Sequence, residues 1–222
     1  MKKNYHKSYS QCGEDMILSF IFYKALKIKK PTYLDIGAYD SYEDSNTAVF
    51  YENGSTGVNV EPNTGRYKKI ATSRKRDINL NLGVSTKEGV ADFHTLSSEK
   101  MSTLIKPKAE KLLTSHKIDI KSTKKIQVTT VNKIIEKYCK GIFPDLFSLD
   151  AEGMDLAILR SINWKKYSPL VICTETASYS TNGNEKKDIK LISFLESKGY
   201  MVYADTRINT IFIKKDKYIN HK

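Results

Sequence analysis

The sequence predicts an α/β fold: a mainly parallel sheet with helices on both faces. Three observations predict it. Strand-like and helix-like segments alternate from about residue 11 to the end of the 222-residue chain. The segments at 32–38, 146–150 and 170–175 are short and strongly apolar, as strands buried on both faces are. A final strand pair without an intervening helix brings one antiparallel strand near the C-terminus.

Residues 15–26 carry Met16, Ile17, Phe20, Ile21 and Leu26 at helical spacing after a polar start at Ser10, and Pro31 breaks the segment. A buried strand over 32–38 ends at a glycine. Residues 47–52 form a short helix stopped by Asn53-Gly54. A second strand over 57–61, built on Val58 and Val60, is closed by Pro62. Helix 66–73 and a third strand over 78–84 follow, then a short extra strand over 90–95 after the Lys87-Glu88-Gly89 turn. Residues 96–122 are polar, lysine-rich and the least regular, and are expected to form a mobile loop or lid. Alternation returns with strand 125–131, helix 132–139, strand 146–150, helix 155–162 and strand 170–175. Helix 185–198 ends at Gly199, and strands 200–205 and 210–215 pair around a turn at 207–209. No repeat and no second domain is visible, so one domain over 1–222 is expected, with a helical N-terminal segment over 1–30 and an irregular candidate substrate lid over 96–124.

Composition narrows the class. Lysine and arginine number 37 against 25 acidic residues, a formal charge of +12, and 40% of the chain is hydrophobic, which argues against wholesale disorder. No apolar run approaches the ~18–20 residues a membrane span needs. The basic first ten residues lack the apolar stretch of a secretory signal, so a cytoplasmic protein is expected. Cys12, Cys139 and Cys173 are odd in number and scattered, which fits reduced thiols and neither a disulfide framework nor a zinc cluster. Arginine appears only at Arg66, Arg74, Arg76, Arg160 and Arg207, so the basic excess is lysine, the generic solvated cation. The dense stretches at 67–76 and 106–125 leave a polyanion partner open, against the plainer reading of a lysine-rich surface.

In this architecture ligands bind at the carboxyl ends of the strands. After the first strand stands Asp35-Ile36-Gly37-Ala38, followed by Tyr39. The glycine permits a close backbone approach, yet the later glycines of a pyrophosphate cradle are missing. A structural turn and a cofactor loop are both consistent with it. Tyr39 is the tyrosine expected near a cofactor. After the second strand comes Glu61, whose carboxylate can accept both hydroxyls of an adenosine ribose, or else stand as a surface residue before a proline turn. Carboxylates at both places without a phosphate cradle fit a cofactor with a ribose and no phosphates, such as S-adenosylmethionine. Asp150-Ala151-Glu152-Gly153 and Cys173-Thr174-Glu175 follow the next two core strands. Asp150 and Glu175 are a candidate pair of oxygen ligands for a hard cation such as Mg²⁺. They are equally placed to position an acceptor hydroxyl or take its proton. The alternatives are Asp150 as a helix cap and Glu175 as a solvated residue. His94 and His116 lie in or beside the irregular segment, with His94 a weaker candidate base.

Several ordered blocks resemble the FkbM-type family of S-adenosylmethionine-dependent methyltransferases. They are Ser10-Gln11-Cys12-Gly13-Glu14-Asp15, Leu34-Asp35-Ile36-Gly37-Ala38, Ser45-Asn46-Thr47 and Val60-Glu61-Pro62-Asn63. Further on come Ser148-Leu149-Asp150-Ala151-Glu152-Gly153-Met154-Asp155 and Pro169-Leu170-Val171-Ile172-Cys173-Thr174-Glu175. The resemblance spans roughly residues 8–176. It implies a class I methyltransferase, Rossmann-like sheet with one reversed strand. It implies cofactor contacts from Asp35, Gly37 and Ala38 around the methionine part and from Glu61 on the ribose, with the adenine near Asn81 and Leu82; Tyr39, Ser45, Asn46, Pro62 and Asp150 are further candidate cofactor contacts. Gln11 and Glu14 are candidates to fold over the cofactor, although Ser10 with a following acidic residue is also a helix-capping pattern. The sequence departs from the family in the missing second glycine after Gly37 and in Ser55 after Gly54.

The activity so implied is O-methyl transfer, with Asp150 and Glu152 as the catalytic carboxylates, onto a sugar- or glycan-related hydroxyl. The acceptor is a small molecule or glycan, with an anionic one suggested by residues 106–125, and no specific nucleic-acid partner is indicated. Two rivals remain at this level: a nucleotide-sugar or NAD oxidoreductase, and a non-catalytic or polyanion-binding protein on the same kind of sheet.

Overall fold

The computed structural model describes residues 7–177 and 186–219. A seven-stranded sheet forms its centre. Its strands are β1 (Tyr33–Ile36), β2 (Gly57–Val60), β3 (Ile78–Leu80), β7 (Leu146–Leu149), β8 (Val171–Glu175), β9 (Tyr200–Asp205) and β10 (Asn209–Lys214), in the spatial order β3-β2-β1-β7-β8-β10-β9. All neighbouring pairs from β3 to β8 are parallel; β10 is antiparallel to both β8 and β9. The chain starts at the centre, builds outward to β3, then crosses back to lay β7 against β1. The order of strands therefore reverses between β1 and β7, where open α/β sheets bind their ligands.

Alternation along the strands sorts side chains onto two apolar layers. Leu34, Ile36, Val58, Phe147, Leu149 and Phe212 pack against α5 (Val131–Tyr138), α6 (Asp155–Ser161) and α7 (Ile189–Ser197). Tyr33, Leu146, Val171, Cys173, Ile211 and Ile213 pack on the other face against α1 (Glu14–Phe20), its one-turn π extension Ile21–Ala25, and α2 (Ala48–Glu52). Polar side chains start the helices where the sequence supplies them. Asn63 caps α3 (Thr64–Ser73) through the N–H groups of Gly65 and Arg66, Thr130 caps α5, and Asp188 caps α7. Ser10 and Asp15 bond reciprocally at the start of α1: the Ser10 hydroxyl donates to the carboxylate at 2.8 Å and accepts the Asp15 N–H at 3.1 Å.

Three expectations need correction. The strand anticipated over 78–84 is two strands: β3 ends at Leu80, and Gly83–Val84 is β4 of a second sheet. That sheet, ordered β4-β6-β5, joins β5 (Gly89–Leu96) antiparallel to β6 (Ile120–Thr129). Residues 96–122 are not irregular. They hold a 3₁₀ turn (Glu99–Met101), the eleven-residue helix α4 (Lys106–His116) and the start of β6, around a small core of Leu96, Met101, Ala109, Leu112 and Ile118. The helix expected from residue 185 begins at Ile189, because Asp188 is its cap, and residue 185 lies outside the described residues. The short helix α8 (Lys215–Ile219) follows β10. Among the described residues no helix is long and apolar enough to cross a membrane.

Candidate functional site

A cavity of about 1070 Å³ opens at the carboxyl ends of β1, β2, β7 and β8, under the segment that carries α4. Its floor follows from the packing of β1 on β7. Leaving β1, the chain turns at Gly37, whose φ is 77°, and the Gly37 and Ala38 N–H groups both donate to the Val60 carbonyl. A Cβ on Gly37 would lie 1.9 Å from the Asp150 carbonyl oxygen, so only glycine passes between the two strand ends. Tyr39 is also left-handed, at φ 54°, and this aims its N–H at the Glu61 carboxylate at 2.9 Å. The Asn63 N–H donates to the other oxygen of Glu61 at 2.7 Å. Burial pushes the Glu61 carboxyl up to about 7, against the pull of these two N–H groups and Arg66.

The other end of the cavity is acidic. Asp150, Glu152, Asp155 and Glu175 all line it, together with Lys108 from α4. Burial, then the charges of Glu152, Glu175 and Asp155, hold the Asp150 carboxyl well above the usual range, and Lys108 opposes them. Asp150 stands just past the end of β7 with its side chain exposed to the cavity. Burial and the neighbouring carboxylates raise Glu175 to about 8. The helix-capping alternative for Asp150 is not what the structure shows: Met154 holds the cap position of α6 without a side-chain cap bond, and the Asp155 carboxylate accepts the N–H groups of Ala151 and Gly153, in the loop before the helix, at 2.9 and 3.1 Å. Asp150 makes no side-chain hydrogen bond among the described residues.

The segment from Ser97 to Asp119 forms a roof, clasped at both ends. Beside Glu61, Arg66 stacks 4.1 Å from the Tyr39 ring centre and pairs with Glu99 at 2.7 Å, while Lys100 pairs with Asp44. Beside Asp150, Lys108 pairs with Glu152 at 2.6 Å, and the Thr103 hydroxyl donates to the Glu152 carbonyl at 3.0 Å. Among the described residues, six basic and eight acidic side chains line the cavity, an acidic balance inside a protein of charge +12.

Of the residues singled out in the sequence, Gln11, Gly37, Tyr39, Asn46, Glu61, Pro62, Leu82, Asp150, Glu152 and Glu175 line this cavity. The others stand behind it. Thr47 donates to Asp35 at 2.7 Å, and the Ser45 hydroxyl accepts the Ala48 N–H. Ala38 is buried in the turn, and Asn81 donates to the carbonyls of Glu61 and Pro62. Glu14 is buried and accepts from Thr206, Asn209 and the Cys12 N–H, and thereby ties the N-terminal block to the β9–β10 turn while neighbouring Gln11 reaches the cavity. His94 is buried on β5 with its Nδ1 2.9 Å from the Thr123 hydroxyl, outside the cavity; the His116 side chain lies outside the described residues. Among the described residues no three His, Cys, Asp or Glu side chains converge as a metal-holding group, and the cation beside Asp150 and Glu175 is Lys108. Sequence reasoning did not find Arg66 or Lys108. Arg66, one of five arginines, at least stood out by its rarity; nothing local marked Lys108 among its lysine neighbours.

The sequence model of the methyltransferase FkbM domain matches residues 35–202. Among solved structures, the methyltransferase FkbM from Methylobacillus flagellatus KT is similar at 13% identity and a TM-score of 0.47, over 83% of this chain and 44% of that one. The chain thus spans less than half the length of that protein. No significant match was found among curated proteins.

Proposed function

The chain belongs to the methyltransferase FkbM family, and from that premise we propose that it transfers a methyl group from S-adenosylmethionine to a hydroxyl of a small sugar- or glycan-related acceptor. The observation that carries this reading is the acidic cavity at the strand-order reversal, with a buried Glu61 at one end and Asp150 at the other. Its donor set suits a cationic cofactor with a ribose, and its volume, just above the usual range of small-molecule sites, leaves room for an acceptor beside it. When bound, S-adenosylmethionine supplies a methyl group on a sulfonium that leaves as a neutral thioether.

Each residue then has a part. Glu61, its two oxygens already oriented by the Tyr39 and Asn63 N–H groups, accepts the ribose hydroxyls. Gly37 lets the backbone come close, while Gln11, Asn46, Pro62 and Leu82 bound the same end. Asp35, Ala38, Ser45 and Asn81 shape it from behind, and Glu14 holds Gln11 in place. Asp150, in its ionised form and with Glu152 and Glu175 beside it, receives the acceptor's proton. The roof excludes water and holds the reactants in line, which is most of what this displacement demands.

Titration calorimetry with S-adenosylmethionine, S-adenosylhomocysteine and NAD tests the reading. Both sulfur compounds are expected to bind and NAD is not. If neither sulfur compound binds at millimolar concentration, the methyltransferase assignment of this cavity fails.

A further inference from the structure

We infer that Lys108, on the roof helix, is a positioning residue that holds the loop of residues 150–155 in the shape the site requires. The inference rests on the methyl-transfer reading for what that loop does. Glu152 stands at φ 49°, in the left-handed region that a glutamate keeps only when its surroundings impose it. Its side chain and its carbonyl are both held from the roof, by the Lys108 ammonium at 2.6 Å and by the Thr103 hydroxyl at 3.0 Å. The Lys108 stem lies against the next residue, Gly153, where an added Cβ would sit 3.2 Å from the lysine Cδ. Gly153 has φ 99°, so two consecutive residues under the roof are left-handed. Asp150, two positions earlier, has no side-chain hydrogen bond of its own among the described residues, so the direction of its carboxylate follows the loop.

Roof docking and loop shape therefore form one two-state element. With Lys108 seated, Glu152 is fixed and Asp150 faces the cavity. With the roof lifted, Glu152 loses both restraints and the turn relaxes toward an ordinary backbone. Lys108 also faces Asp155 and Glu175, so one ammonium sits among four carboxylates, two from the loop between β7 and α6, one from α6 and one from β8. The roof thus supplies the acceptor end with a cation that the sheet itself lacks there.

Hydrogen exchange read by mass spectrometry on the intact chain tests this, with peptides covering residues 148–157 and the roof helix. Lys108→Met is expected to speed exchange of the 148–157 peptide about tenfold or more. Lys108→Arg should restore it to within about twofold, since a guanidinium reaches the same carboxylate. Lys106→Met, which loses only the exposed pair with Glu110, should leave it unchanged. Exchange of that peptide unaltered in Lys108→Met, or not rescued by arginine, overturns the proposal. If Lys108→Met does not fold, the double variant Lys108→Met with Glu152→Gln removes the unpaired charge, and a loop as protected as in the parent then counts against the proposal. The affinity for S-adenosylhomocysteine is measured alongside. Its absence in the parent chain would sink the methyltransferase reading, while the exchange result still decides what Lys108 does.

Discussion

At the scale of single residues, Glu61 shows how burial sets chemistry. The carboxylate is almost enclosed, and burial outweighs two N–H donors and Arg66, which leaves its midpoint at about 7 in the ligand-free chain. If the ionised form binds the ribose hydroxyls, affinity for S-adenosylhomocysteine rises with pH until Glu61 has lost its proton. A midpoint of about 7 predicts affinity about tenfold weaker at pH 6 than at pH 8, and level above that. Glu61→Gln should bind more weakly and lose this dependence. Calorimetry across that range decides it, and a parent affinity flat with pH would mean that Glu61 does not titrate against the cofactor. Both Glu61 and Gly37 were legible in the sequence, because each sits where a strand ends against a turn-forming residue. The partner of Glu152 was not: Lys108 lies 44 residues away and is one lysine among many.

At the scale of elements, a buried polar cluster fastens the outer part of the sheet. Arg74, at the end of α3, pairs with Asp77 at 3.0 Å, and both side chains are fully buried. Asp77 also accepts from the Tyr33 hydroxyl on β1 and from the Gly57 N–H and Asn59 amide on β2. The guanidinium lies 5.2 Å from the ring centres of both Tyr33 and Tyr51, and donates to the Thr47 hydroxyl that in turn holds Asp35. Removing the cation strands Asp77 in the interior. Arg74→Met is therefore expected to lower the unfolding free energy by about 3–5 kcal/mol, measured by urea denaturation. A loss under about 1 kcal/mol would show that water reaches the cluster. The roof is the element that sequence patterning missed. Its apolar side chains are few and interspersed with lysines, and they make a core only when β5, β6 and α4 fold together. β6 has the same character: mostly half-exposed or exposed, it is a strand because β5 pairs along it.

At the scale of the whole molecule, the +12 charge and the acidic cavity have separate origins. The lysines coat the outside, while the sheet topology gathers carboxylates at one edge. That gathering has a consequence for stability. Burial and like charges hold Glu175 up to about 8, burial holds Glu61 at about 7, and Asp35, Asp150, Glu152 and Asp155 are all raised. In the unfolded chain such groups titrate near ~4. Between those limits the folded chain binds more protons, so their contribution favours folding at low pH and is lost as pH rises through 7 and 8. Glu14 works in the opposite sense. Although burial raises its carboxyl, hydrogen bonds from Thr206, Asn209 and the Cys12 N–H bring it below the usual range, so its contribution fades only at lower pH. The ligand-free chain is thus expected to melt a few degrees higher at pH 5 than at pH 8.5. Glu175→Gln should narrow the gap. Equal melting temperatures at the two pH values would show that the carboxylates at the cavity floor are as well solvated as in the unfolded chain.

Local patterns in the sequence were enough to determine the alternation of strands and helices, the reversed strand near the end, the glycine turn after β1 and the carboxylates at the ends of β2, β7 and β8. Each of these depends on side chains adjacent along the chain, whose periodicity and turn chemistry act at short range. Tertiary structure alone decided the second sheet, the ordered roof and the seating of Lys108 on Glu152. These depend on which distant segments meet, and a lysine reads the same in the sequence whether water or a buried carboxylate receives its charge.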